Sequence, residues 1–170
     1  MKKSILQLLL TVVLAVASSV AVLAQQKATV LTGPELSRVV PAGFYFKGLT
    51  APTQMRNAAA AKFSESQHVI AGLVDTSGYA ADVRAKYEGF LICDTAISIN
   101  GQALAIGAYG FGFANDGTLA VLDLSGNQLL SVSSSSDKDL KRPRPLMMSA
   151  EADGLRLYSG RNYVVIAVGK

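Results

Sequence analysis

The chain has 170 residues, of which 50% are hydrophobic and 16% are charged, with 16 lysines and arginines against 12 aspartates and glutamates. This length and composition fit one globular domain with an ordinary apolar core. The formal charge of +4 falls to about +2 once a leader carrying Lys2 and Lys3 is removed, which excludes a general nucleic-acid binder. The lone cysteine, Cys93, excludes an intrachain disulfide, and the lone histidine, His68, excludes a zinc site built from several His or Cys ligands.

Residues 1–24 have the pattern of a secretory signal peptide. A basic head of two lysines precedes the uncharged, mostly apolar stretch Ile5–Val22, and Val22-Leu23-Ala24 supplies the small side chains that a signal peptidase needs. We predict cleavage after Ala24. Residues 25–170 would then form a single periplasmic or secreted domain.

The same segment is long enough to be an uncleaved membrane anchor, because a hydrocarbon core is ~30 Å thick. Two features favour the signal peptide instead. Ser18 and Ser19 interrupt the apolar run near its end, and no basic cluster follows at Gln25. We therefore expect contact with a membrane only before cleavage.

Two short helices are predicted in the first half of the domain. Pro34–Val39 has a proline in its first turn, with Thr32 as the N-cap. Tyr79–Tyr87 is the second helix, with Ser77 as a plausible cap. Between them, four alanines in Asn57–Ala61 favour a helix, but a Ser/Glu turn and the strand-like His68–Val74 follow, so we expect a hairpin there.

The rest of the sequence alternates between strand-like runs and turns that contain Gly, Asn or Asp, at spacings near ten residues. Within one run, Tyr109, Phe111 and Phe113 share one face, while the opposite face carries almost no side chain and needs a bulky cover. The predicted strands are Phe90–Ile99, Ala108–Ala114, Thr118–Leu124, Gln128–Val132, Leu146–Ala150, Leu155–Tyr158 and Tyr163–Val168. This pattern predicts a mainly β fold: a single-domain antiparallel β-sandwich or small β-barrel of about eight strands, with one or two short helices.

A hydrolase-type site is one interpretation of Asp75, Ser77 and His68. The segment Leu73–Gly78, with two apolar residues before Asp75, resembles the catalytic loop of aspartic proteases, although Ser77 stands where that loop has glycine and there is only one copy. His68 is the only histidine base available, with Asp75 or Asp94 to orient it. An Asx turn after a strand, and a solvated histidine, explain the same residues without catalysis.

The sequence Lys141-Arg142-Pro143-Arg144-Pro145 concentrates positive charge in an extended, proline-restricted segment. Lys141, Arg142 and Arg144 are suited to a phosphate, a carboxylate or an anionic polysaccharide. The alternative is an exposed connector before the next strand.

Other features favour structural roles. Cys93 lies in an apolar run and is predicted to be a buried, inert thiol. Asp137 and Asp139 lack the further oxygen donors of a calcium loop. The aromatic side chains of Gly43–Phe46 and of Tyr109–Phe113 would form a sugar-stacking platform only if exposed, and core packing is their default. No cofactor or metal site is predicted.

Five segments together resemble a family of small exported bacterial proteins of uncharacterised function. The resemblance implies a bacterial, extracytoplasmic setting but no activity, cofactor or site. The segments are APTQMRN (Ala51–Asn57), VDTSGY (Val74–Tyr79), GAYGFGF (Gly107–Phe113), KRPRPL (Lys141–Leu146) and RLYSGRNYV (Arg156–Val164).

These observations lead us to expect an exported, non-enzymatic domain that binds an anionic envelope component or a protein partner. One alternative is a hydrolase with its site around Asp75, Ser77 and His68. Another is a structural subunit that contributes a sheet edge to an envelope assembly.

Overall fold

The computed structural model describes residues 27–168, so the predicted signal segment 1–24 lies outside the described residues. The fold is mainly β, with 58% strand and 8% helix, as the turn spacing predicts. The two helices are α1 (Gly33–Val39) and α2 (Ala81–Arg84). The strands are β1 (Thr29–Val30), β2 (Gly43–Phe46), β3 (Leu49–Ser64), β4 (Gln67–Val74), β5 (Gly89–Cys93), β6 (Ile97–Ile99), β7 (Gln102–Leu104), β8 (Gly107–Phe113), β9 (Thr118–Leu122), β10 (Gln128–Ser133), β11 (Ser135–Ser136), β12 (Arg144–Glu151), β13 (Gly154–Gly160) and β14 (Asn162–Val168).

The strands form two antiparallel sheets that pack face to face as a sandwich, not as a closed barrel. Sheet 1 has the order β1-β3-β4-β5-β8-β9-β10, with β2 paired to β3. Sheet 2 has the order β12-β13-β14-β6-β7, with β11 paired to β14. Fully buried side chains such as Leu91, Phe111, Leu157 and Val164 fill the space between the sheets.

A second, smaller core covers the outer face of sheet 1. Strand β2 and the segments around both helices lie over this face, and Phe46 and Tyr87 are completely buried there, with ring centroids 3.9 Å apart. A Cβ placed on Gly110 would lie 2.5 Å from Phe46, and one on Gly112 would lie 2.5 Å from the Lys86 carbonyl oxygen. The bare face of β8 is thus covered by the chain itself.

Several local predictions are confirmed. Helix α1 begins at Gly33 with Thr32 in the N-cap position, although the Thr32 side chain makes no capping bond. The alanine-rich segment is the second half of β3, in a hairpin with β4. Asn100 and Gly101 have φ of 47° and 82°, the pair of positive values that a two-residue hairpin turn requires.

Three predictions are corrected. Phe90–Ile99 is not one strand, because residues 94–96 carry the chain from β5 in sheet 1 to β6 in sheet 2. The second helix spans only Ala81–Arg84, and Ala80 occupies its N-cap position instead of Ser77. The described residues form fourteen strands instead of about eight, since several are only two or three residues long.

Neither helix within residues 27–168 has the length and apolar character that a membrane-spanning helix needs.

Candidate functional site

A large bulge in β3 shapes the surface next to the predicted basic segment. Between two paired positions, β3 has the four residues Gln54–Asn57 where β4 has only Leu73. The Gln54 side-chain amide donates to the Val74 carbonyl at 2.9 Å, and the Asn57 amide donates to Gln54 Oε1 at 2.9 Å. The bulge is therefore held in shape by its own amide groups and leaves Met55 and Arg56 exposed.

The loop between β11 and β12 is anchored to the β13–β14 turn by Arg161. Arg161 Nη1 donates to three carbonyl oxygens of the loop, those of Asp137 (3.3 Å), Lys138 (3.1 Å) and Leu140 (2.6 Å). In return, the Asp137 N–H donates to the Arg161 carbonyl at 2.9 Å. The loop backbone thus has a defined path up to the residue that precedes Lys141.

The Asp137 carboxylate accepts hydrogen bonds from its own loop and from sheet 2. Its Oδ1 accepts from the N–H groups of Asp139 (3.0 Å) and Leu140 (3.1 Å), and its Oδ2 accepts from the Tyr158 hydroxyl at 3.2 Å. Because these donors occupy the carboxylate, it stabilises the loop instead of pairing with the lysine and arginines that follow.

The basic segment continues from this loop into β12 and meets the β3 bulge. Arg144 Nη2 donates to the Arg56 carbonyl at 3.1 Å, which joins residues 88 positions apart. Lys141, Arg142, Arg144 and Arg56 are all exposed, and within residues 27–168 none of them has an ion-pair partner. We call these four residues the basic rim.

The three residues of the hydrolase hypothesis are divided between the two ends of β4. Asp75 follows the last residue of the strand, whereas His68 is its second residue, about 23 Å away at the usual rise per residue. The Ser77 N–H donates to Asp75 Oδ1 at 3.0 Å, and these bonds from Ser77 lower the pKa of the Asp75 carboxyl. A general acid needs a raised pKa instead.

The partner of His68 is Asp94. His68 Nδ1 lies 2.8 Å from Asp94 Oδ2, and the His68 backbone N–H also donates to Asp94 Oδ1. The Asp94 N–H donates to the His68 carbonyl at 3.3 Å, so the pair closes the end of the β4–β5 ladder. This histidine and aspartate have the base–orienter arrangement, but no Ser or Cys side chain among the described residues hydrogen-bonds the imidazole.

Cys93 is buried, as predicted. It is 1% exposed, its thiol lies 3.2 Å from the Ala105 carbonyl oxygen, and burial raises the pKa of the thiol. A raised pKa disfavours the reactive thiolate. Phe44, Phe46 and Phe111 are also buried, which confirms core packing for these three, but the prediction is wrong for Tyr45, which is 54% exposed.

A polar–aromatic cluster that the sequence analysis missed lies on the outer face of sheet 2. Tyr158 and Tyr163 are cross-strand partners with ring centroids 5.2 Å apart, and the Arg156 guanidinium carbon lies 4.4 Å from the Tyr163 ring centroid. Asp153 and Arg156 form an ion pair at 2.8 Å, and this interaction lowers the pKa of the Asp153 carboxyl. The sequence feature that could have predicted this cluster is the placement of the two tyrosines on either side of the Ser-Gly-Arg-Asn turn.

No group of three or more His, Cys, Asp or Glu side chains in residues 27–168 is arranged to hold a metal ion. Comparisons with family models, with curated proteins and with solved structures each give no match to this chain. The fold defines the chain as an antiparallel β-sandwich protein. Its function therefore has to be argued from the residues of the site.

Proposed function

We propose that the protein is an exported, non-enzymatic binding domain that docks an anionic envelope component through the basic rim. The single observation that carries the proposal is that Arg56, Lys141, Arg142 and Arg144 are exposed and have no ion-pair partner within residues 27–168, on backbone that the protein holds in place. Export is supported by the signal-peptide pattern of residues 1–24.

The arrangement favours binding because the backbone of the site is ordered before the ligand arrives. Arg161 fixes the loop before Lys141, two prolines restrict the segment itself, and the Arg144 side chain rests on the β3 bulge. A preorganised segment loses less conformational entropy on binding. The guanidinium groups of Arg142 and Arg144 have planar donors that match carboxylate or phosphate oxygens.

The cations are also arranged for an extended ligand. Lys141, Arg142 and Arg144 follow one another along a proline-restricted segment, and Arg56 lies beside it on the bulge. Cations spaced along the chain in this way can contact successive charges of a polymer. A polymer with repeated negative charges fits this arrangement better than a single small anion.

No specific observation favours either of the two alternative functions. The hydrolase hypothesis needs His68 near Asp75 or Ser77, and the length of β4 separates them. The sheet-edge hypothesis needs open backbone groups on an edge strand. On β10, the carbonyls of Ser131 and Ser133 already accept from the side-chain amides of Gln102 (3.3 Å) and Asn100 (2.9 Å).

The test is retention of the purified protein on immobilised polyglutamate, dextran sulfate and peptidoglycan, with uncharged dextran as the blank. We expect salt-sensitive retention on the polyanions, because attraction between exposed charges is screened by salt. Arg142→Ala/Arg144→Ala should weaken binding by about tenfold or more, since each charge-assisted hydrogen bond contributes on the order of 1.5–3 kcal/mol.

Lys27→Ala/Lys62→Ala is the matched control. It removes the same charge, but Lys62 is six residues along β3 from Arg56, about 20 Å away. Binding by the control should equal that of wild type. If wild type is not retained, or if both double variants bind equally well, the docking proposal is wrong.

A further inference from the structure

The basic rim adjoins sheet 2 through the backbone of Arg144. Arg144 is paired with Gly160 across β12 and β13, and two residues further along β13 lies Tyr158, whose partner on β14 is Tyr163. Leu157 and Val164 point into the core, so both tyrosines point away from it. At ordinary strand spacings, the Arg144 backbone and Tyr163 are separated by about 12 Å.

The Tyr163 side chain is partly exposed, whereas the neighbouring Tyr158 side chain is buried. Tyr158 is 2% exposed, and its hydroxyl donates to Asp137. Tyr163 is half-buried, and within residues 27–168 its hydroxyl has no hydrogen-bond partner. The Arg156 guanidinium lies over one face of the Tyr163 ring, 4.4 Å from the ring centroid, and Asp153 holds it there through bonds from Arg156 Nε and Nη2.

This combination matches the chemistry of a sugar ring. A pyranose has an apolar face of C–H groups, which packs on aromatic and guanidinium planes, and a rim of hydroxyls, which bond to groups such as the Tyr163 hydroxyl. The stacked side chains lie near the basic rim, whose four cations have no ion-pair partner within residues 27–168. A polymer that carries both sugar rings and negative charges would contact the Tyr163 and Arg156 side chains and the basic rim at the same time.

We propose that the ligand is an acidic polysaccharide whose sugar rings pack against the stacked side chains of Arg156 and Tyr163 while its acidic groups contact the basic rim. This proposal rests on the proposed function and narrows it to one class of polymer. An acidic polypeptide has the charges but no pyranose face, so it would bind at the rim alone.

The experiment compares the dissociation constants of the purified protein for polygalacturonate and for polyglutamate, at the same salt concentration. Wild type should bind polygalacturonate more tightly. Tyr163→Val, which keeps a residue that favours strands, should weaken polygalacturonate binding by about two- to tenfold, the range typical of one aromatic contact. Its binding to polyglutamate should not change.

Three further variants complete the design. Tyr45→Val is the matched control, since Tyr45 is 54% exposed on β2, in the layer over sheet 1, and its loss should change neither constant. Tyr163→Phe keeps the ring and loses only the hydroxyl. If the valine variant fails to fold, weaker binding of the phenylalanine variant to polygalacturonate, with unchanged binding to polyglutamate, tests the same contact. Arg142→Ala/Arg144→Ala should weaken binding to both polymers.

The outcomes separate the two proposals. Equal affinity for both polymers, with no effect of either Tyr163 variant, would overturn the polysaccharide proposal and leave anionic docking in place. Absence of binding to both polymers would overturn docking itself, and the polysaccharide proposal with it.

Discussion

At the scale of single residues, the glycines of β8 determine how the outer layer packs on sheet 1. Phe46 occupies the space that a side chain at position 110 would fill, and it is fixed there by stacking on Tyr87. Both rings are completely buried, so neither can move aside without opening a cavity elsewhere. Gly78 is the opposite case, because no atom of residues 27–168 lies within 4 Å of the position where its Cβ would be.

Gly110→Ala is therefore expected to lower the free energy of unfolding by about 1–3 kcal/mol, the usual cost of overpacking a filled core. Gly78→Ala should be neutral, or stabilising by up to about 1 kcal/mol, because it restricts only the unfolded chain. Urea unfolding of both variants measures the difference. Equal stability of the two variants would contradict this account of the outer core.

At the scale of the elements, the β9–β10 connection shows how one carboxylate organises a turn. Asp123 Oδ2 accepts from the Asn127 side-chain amide at 2.9 Å, and Oδ1 accepts from the N–H groups of Asn127 (2.8 Å) and Ser125 (2.9 Å). These bonds favour the ionised form and lower the pKa of the Asp123 carboxyl, the Asn127 side chain contributing most.

The lowered pKa predicts a pH dependence with a definite sign. Ionised Asp123 stabilises the folded state above the unfolded pKa of about 3.9, and this contribution is lost as the pH falls through the lower folded value. Asp123→Asn should thus be less stable than wild type at pH 7, and the two should converge as the pH falls below the lowered folded pKa. Thermal unfolding across this pH range is the measurement, and a constant difference between them would refute the assignment.

At the scale of the whole molecule, Asn100 connects the two sheets. Its Nδ2 donates to the Ser133 carbonyl on β10 of sheet 1 at 2.9 Å, and its Oδ1 accepts from the Val165 N–H on β14 of sheet 2 at 2.7 Å. The same residue supplies the positive φ of the β6–β7 turn. One exposed side chain therefore joins the sheets and occupies an acceptor on the edge of sheet 1.

Asn100→Gly should lower the free energy of unfolding by about 1–3 kcal/mol, because both cross-sheet hydrogen bonds are lost. Glycine adopts positive φ without strain, so the loss of stability measures the contribution of the Asn100 side chain and not a change in the turn. Asn115→Gly, in the β8–β9 turn, is the control and should cost less than about 1 kcal/mol. An unchanged urea midpoint for Asn100→Gly would show that the bridge does not stabilise the sandwich.

The candidate site was only partly predictable from the sequence. Lys141, Arg142 and Arg144 are recognisable because charge and proline are concentrated within five residues. Arg56 is not, since it joins them through a bulge that no local pattern marks. Tyr158 and Tyr163 come together only because the strands that carry them pair in one particular register.

The sequence by itself determined the turns, the strand-forming runs, the two-faced pattern of β8 and the mainly β class. These depend on φ preferences and on the period-two alternation of side chains, which involve residues close together in the chain. Only the tertiary structure decided which strands share a sheet, how Asn100 bridges the sheets, and that Arg144 meets Arg56 across 88 positions. Such contacts depend on how two sheets pack as whole layers, and that packing is settled by the summed burial of the core, not by any short stretch of residues.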